Sequence, residues 1–149
     1  SRLIGEALQA GGFTKLTSLS LTDVGIGPAG GKAIGQALRG PILEESPLFS
    51  LNLACNGLNT ESSSSIATGL RGNTTLVELD LSQNALGPEG AASFAVVVQS
   101  SSTLCDLSLE GNGIGPDGVS TVARAVAAAG TVATLTLARN LLGERGGEE

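Results

Sequence analysis

The chain has no histidine, tryptophan, tyrosine or methionine, and of its 149 residues only Phe13, Phe49 and Phe94 are aromatic. Each absence removes a class of chemistry. Without histidine, these residues cannot form a Ser-His or Cys-His nucleophile pair or a histidine-based metal site. With so few aromatics, the core has to be built from Leu, Val, Ile and Ala. Basic residues are also scarce: 8 Lys and Arg stand against 14 Asp and Glu, a net charge of −6. Lys15, Lys32, Arg39 and Arg71 are scattered rather than clustered. That excludes the basic patch that a nucleic acid or an anionic membrane requires. No apolar run reaches the roughly 18 residues of a membrane-spanning helix. Two cysteines, Cys55 and Cys105, are present.

What the sequence does have is repetition. Leu76–Gly90 reads LVELDLSQNALGPEG, and LCDLSLEGNGIGPDG follows 28 residues later from Leu104. A further 28 residues on, VATLTLARNLLGERG starts at Val132. In the other direction, LFSLNLACNGLN starts 28 residues earlier at Leu48, and LTSLSLTDVGIGPAG 32 earlier still at Leu16. Self-similarity at this period marks a solenoid of about five stacked units. Cys55 and Cys105 fall in units two steps apart, about 10 Å at the strand spacing of a sheet, too far for a disulfide. Both are read as reduced, which fits the cytosol.

Within a unit, leucines alternate with polar residues, as in Leu76, Leu79 and Leu81 against Glu78 and Asp80. Period two predicts strands with one buried face near 16–22, 48–54, 76–82, 104–110 and 132–138. A Gly-Pro pair then opens a helix; Pro28 suits a first turn, where its missing N–H costs nothing. Helical faces follow in Ile34 and Leu38, Ile66 and Leu70, Phe94 with Val98, and Val122 with Val126. Glu89 and Asp117 fall in first turns, where a carboxylate meets the positive end of the helix dipole. Ser1–Ala10 reads as the helix of a preceding unit, with Ile4 and Leu8 on one face and Gly11 and Gly12 ending it. The run NTESSSSIATGL predicts a shorter or frayed helix, with Thr60 as its cap. Gly40–Pro47 reads as an exposed loop. The last stretch, Gly143–Glu149, is the opening of a further helix, so the chain is expected to be a domain cut at both ends, without caps.

Asn56, Asn84, Asn112 and Asn140 sit at one phase of the repeat. The chain turns there through the interior, and an amide side chain both donates and accepts, so this file reads as structural. L-x-x-L-x-L-x-x-N-x-L resembles the leucine-rich repeat family, and the 28-residue period with its LGPEGA helix start resembles the ribonuclease-inhibitor-like subfamily. The first unit departs, with Val24 in the asparagine's place. The resemblance implies an α/β fold: a right-handed horseshoe solenoid, parallel strands on the concave face and helices on the convex face. It also implies a single domain spanning 1–149.

In that family partners meet the concave face or the rim loops. The strand positions that alternate outward hold Ser18, Ser20, Ser50 and Asn52, then Glu78, Asp80, Asp106 and Glu110. Glu78, Asp80, Asp106 and Glu110 form a candidate acidic patch, for which a basic segment of a protein partner is the complementary chemistry. No catalytic, cofactor or metal site emerges: GIGPAG and GIGPDG recur once per unit as helix starts, which a phosphate loop would not do. No cofactor, nucleic acid, membrane or small-molecule substrate is expected. The resemblance implies a non-enzymatic interaction or scaffold domain of a larger intracellular eukaryotic protein, in the cytoplasm, with cytoskeleton or cilium as settings. Two alternatives stay open, the sensor arm of a NOD-like receptor and a Ran-type GTPase-activating protein.

If the leucine rows are the core, Leu81→Asp unfolds the middle units, at a cost of roughly 4 kcal/mol. Asp80→Asn shifts stability by less than about 0.5 kcal/mol. Urea unfolding followed by circular dichroism separates the two, and equal midpoints would contradict the alternation.

Overall fold

The computed structural model describes residues 2–10, 15–39 and 48–140. Phe13, the Gly11–Gly12 helix end, the Gly40–Pro47 loop and the Gly143–Glu149 tail lie outside the described residues. The described chain alternates strand and helix. The strands are β1 (Ser18–Ser20), β2 (Ser50–Asn52), β3 (Glu78–Asp80), β4 (Asp106–Ser108) and β5 (Thr134–Thr136). The helices are α1 (Arg2–Gln9), α2 (Gly27–Leu38), α3 (Thr60–Gly69), α4 (Gly87–Ser100) and α5 (Gly115–Ala129).

All five strands are parallel and lie in sequence order, β1-β2-β3-β4-β5. Leu19, Leu51, Leu79, Leu107 and Leu135 are in register across the sheet, as are Ser18, Ser50, Glu78, Asp106 and Thr134. Parallel neighbours need a crossover, and here each crossover is a helix. The result is an α/β leucine-rich solenoid with strands on one face and helices on the other.

The strands are shorter than the seven-residue stretches that alternation predicts. Just past each one the chain turns down towards the helix layer. Asp23, Cys55, Gln83 and Arg139 take left-handed backbone with φ of 55–57°, and Gly111 fills the same slot. Cross-unit hydrogen bonds nevertheless continue beyond the strand ends. Leu53 N donates to Asp80 O (2.8 Å) and Cys55 N to Ser82 O (3.0 Å).

The core runs between the two layers. Leu53, Leu81 and Leu109 are fully buried, and so are Leu58, Leu86 and Ile114 from the following turn. The helices contribute Ile34, Ile66, Phe94 and Val122 to the same cluster. Burial of each such side chain contributes roughly 1.5–3 kcal/mol. In and just past β1 and β5 the equivalents Leu19, Leu21, Leu135 and Leu137 are only partly buried against this cluster. Each of those strands has one neighbour among the described elements.

Pro28, Pro88 and Pro116 stand in the first turns of α2, α4 and α5, preceded by glycines with φ between 64° and 69°. Helix α3 starts differently and corrects one expectation. Its cap is Asn59, not Thr60: Ser62 N donates to Asn59 Oδ1 (3.0 Å) while Asn59 N donates to Ser62 Oγ (2.9 Å). Two reciprocal bonds satisfy groups that a helix end otherwise leaves orphaned. Thr60 instead donates its hydroxyl to Leu86 O (2.8 Å) and ties α3 to the next unit.

The expectation of a shorter helix holds, since α3 has 10 residues against 12, 14 and 15 in α2, α4 and α5, and its start carries an intact capping box. Ser62 and Ser63 are fully buried, the hydroxyl of Ser63 donating to Asn59 O at 2.7 Å. Small side chains let α2 and α3 touch backbone to backbone. A Cβ on Gly35 would overlap the Ser65 main chain, and one on Gly69 would overlap the Gly35 carbonyl.

Glycine to alanine on an exposed helix face stabilises by up to about 1 kcal/mol. Gly35→Ala has the opposite sign here and costs about 1–3 kcal/mol, because α2 and α3 are forced apart. A rise in the urea midpoint of Gly35→Ala would contradict the close packing.

Candidate functional site

The strand face is positioned by the turn beneath it, and that turn is held by asparagine side chains. Asn84 Nδ2 lies within bonding distance of three carbonyls: Leu53 O (3.1 Å), Leu81 O (2.8 Å) and Ser82 O (3.2 Å). Its Oδ1 accepts from Asn56 N and Leu58 N, both at 3.0 Å. One side chain therefore satisfies backbone groups in its own unit and in the unit before it. Asn56 repeats the pattern, donating to Leu21 O, Leu53 O and Ala54 O and accepting from Val24 N and Ile26 N. Asn140 donates to Leu109 O and Leu137 O and accepts from Asn112 N (2.8 Å) and Ile114 N (3.3 Å). Asn112 donates to Leu81 O, Leu109 O and Glu110 O, but its own Oδ1 has no partner. In unit one the turn survives without an asparagine: Val24 is half exposed, and Asp23 N donates to Ala54 O (3.0 Å).

A second set of side chains ties the helix-to-strand loops, and the repeat motif does not reveal it. Asn73 Oδ1 accepts from Thr75 N and Leu76 N, and Ser101 Oγ does the same for Thr103 N and Leu104 N. Thr75 and Thr103 then donate to Leu48 O and Leu76 O of the preceding unit. Asparagine and serine in equivalent slots serve as the same acceptor, so no residue identity marks the position in the sequence.

The four carboxylates are not equivalent. Glu78 and Asp106 are direct cross-strand neighbours, and Asp80 is two residues on from Glu78 along β3. Glu78 is exposed; Asp80 and Asp106 are half-buried. Asp80 has internal work: Oδ1 accepts from Ser82 N (2.9 Å) and Oδ2 from Asn52 Nδ2 (3.2 Å). Asn52 Oδ1 in turn accepts from Thr22 (3.0 Å) and Ala54 N (2.9 Å), so a polar chain crosses three units. Glu110 lies past the end of β4 and has its own counterion, Arg139 Nε at 3.5 Å from Oε1. The uncompensated negative charge therefore sits at Glu78 and Asp106, with Asp80 beside them.

These groups line an open depression of about 280 Å³ that crosses β2 to β5, with Ser50, Asn52, Ser108, Thr134 and Thr136 completing its polar lining. Like-charged carboxylates on one wall raise the local concentration of cations. Among the described residues no group of three or more His, Cys, Asp or Glu is placed to hold a metal ion. No helix there is long and apolar enough to cross a membrane. Cys55 and Cys105 are free thiols.

Phe49 is a residue that the sequence reading passes over. It is 43% exposed, just ahead of β2, whereas Phe94 is wholly buried. Hydrogen bonds place Phe49 in a row across the sheet: Phe49 N donates to Thr17 O, Val77 N to Phe49 O, Cys105 N to Val77 O and Ala133 N to Cys105 O. The signal was available as the one large aromatic in a slot otherwise filled by Thr17, Val77, Cys105 and Ala133.

Comparison with known proteins follows the same lines. The Leucine Rich repeat family matches residues 14–35, 72–95 and 100–123. No curated protein matches the sequence. Among solved structures, leiomodin-1 Actin-Binding Site 2 superposes with a TM-score of 0.77 at 18% identity, over 89% of this chain and 76% of that one. The tropomodulin C-terminal domain of Caenorhabditis elegans gives 0.69 at 13% identity, over 90% and 80% of the two chains. At these identities the likeness establishes the fold.

Proposed function

Since this chain is a leucine-rich repeat protein, we propose that it acts as a non-enzymatic protein-binding domain whose strand face receives a basic segment of a partner. The observation that carries this reading is the depression across β2 to β5, in which Glu78 and Asp106 stand side by side without a basic residue in the lining. A cationic partner meets complementary potential there, which favours encounter and selects against acidic competitors. Asp80 contributes charge while fixing the turn, and Glu110 contributes least because Arg139 already lies against it. The open, shallow form of the surface suits a polypeptide rather than an enclosed small molecule.

The likeness to an actin-binding site of leiomodin-1 supports a cytoskeletal protein as the partner. We place the domain in the cytoplasm on that basis and on the two free thiols, with a cilium as one cytoskeletal setting. The sensor-arm and GTPase-activating alternatives draw no support from a residue at this face.

The combined variant Glu78→Gln, Asp80→Asn, Asp106→Asn and Glu110→Gln tests the reading with a lysine-rich probe peptide. Removal of the carboxylates weakens binding by about tenfold or more at low salt and flattens the dependence of affinity on ionic strength. Unchanged affinity together with an unchanged salt slope would remove the face from consideration.

A further inference from the structure

We propose that the rim row Phe49–Val77–Cys105, running beside the carboxylates, is the apolar half of the same docking surface, and that its occupant is a basic amphipathic helix laid across the strands. This rests on the reading that the strand face takes a basic segment. It adds what kind of segment, and in which direction it lies.

Three observations carry it. First, the row is continuous. Phe49, Val77 and Cys105 are joined unit to unit by backbone bonds of 2.8 Å, so the three positions repeat at the sheet spacing. Second, each member is followed in the chain by a polar strand residue: Ser50 after Phe49, Glu78 after Val77, Asp106 after Cys105. An apolar line and an acidic line therefore run side by side, both across the strands. Third, Phe49, immediately before β2, is a large hydrophobe 43% exposed, with Val77 half-buried in the next unit and Cys105 half-buried beyond it, its Sγ towards Thr131 O at 3.6 Å. The other exposed large hydrophobes among the described residues are Leu3 and Val96 on helices and Val24 in the turn after β1.

The spacing selects the secondary structure of the occupant. Neighbouring strands are about 4.8 Å apart. A helix lying across them presents one residue of a given face about every 5.4 Å. The mismatch is about 0.6 Å per strand, small enough for three successive contacts. An extended segment repeats on one side about every 6.8 Å and slips by about 2 Å at each strand. Apolar residues at i, i+3 or i+4, and i+7 then meet Phe49, Val77 and Cys105. Lysines or arginines on the adjoining face meet Glu78 and Asp106.

The experiment uses the whole 149-residue chain and two synthetic peptides of identical lysine, arginine and leucine content. One has the leucines at helical spacing; the other is scrambled so that no face is apolar. The parent protein is expected to bind the helical peptide about tenfold more tightly than the scrambled one. Phe49→Ser abolishes that difference and leaves the scrambled peptide's affinity unchanged, and Phe49→Leu restores most of it. Equal binding of both peptides by parent and Phe49→Ser proteins, lost only when the carboxylates are neutralised, would overturn the helix and leave the acidic face standing. Binding of neither peptide by the parent would overturn both.

Discussion

A chain that turns through its own interior once per unit has to satisfy the backbone groups of each turn without water. In this molecule that task falls to asparagine side chains, and the rest of the structure depends on it. Asn84 occupies carbonyls of its own turn and of the previous unit while accepting two N–H groups from that previous unit. A buried polar group left without a partner costs about 1–3 kcal/mol, so one asparagine prevents several such losses at once. With the turn held, Leu53, Leu81 and Leu109 come into line and merge into one dry layer. With the strands in register, the outward residues follow in rows. The acidic line at Glu78 and Asp106 and the apolar line at Phe49 and Val77 are consequences of that register.

The helix layer is governed by size rather than by hydrogen bonding. Gly31, Gly35 and Gly69 sit where α2 and α3 meet, and the serines of α3 fill the remaining space. Each serine hydroxyl buried there has a backbone or hydroxyl partner, so the layer stays polar in composition yet satisfied. On the exposed side, Lys32 and Glu61 form an ion pair at 2.9 Å between two well-exposed side chains, an interaction that contributes little to stability.

The repeat and the phase of the asparagines were legible in the sequence because they come from periodicity, which survives without coordinates; the parallel order of the strands was implied by the resemblance to leucine-rich repeats. The start of α3 was not legible. Thr60 and Asn59 are both good caps by composition, and only the reciprocal bonds with Ser62 choose between them. Nor did four serines in a row announce that two of them, Ser62 and Ser63, are buried, their hydroxyls held by the carbonyls of Asn59 and Thr60 at the start of their own helix. The acidic face was legible as an alternation, but its unevenness was not. Asp80 and Glu110 differ from Glu78 because Asn52 and Arg139 lie against them, and those neighbours are 28 and 29 residues away along the chain. Phe49 went unremarked because a single aromatic ahead of a strand has no periodic partner.

The most direct measurement is native-state hydrogen exchange at the amides of Asn56 and Leu58, whose acceptor is the side-chain oxygen of Asn84. If asparagine bridges hold the units together, these two amides exchange only through cooperative unfolding. Their opening free energy then equals that of Leu53 and Leu81, which bond to the neighbouring strand's main chain. Exchange of Asn56 and Leu58 by local opening, with Leu53 and Leu81 still fully protected, would show that the bridges are ornaments on a fold held by other means.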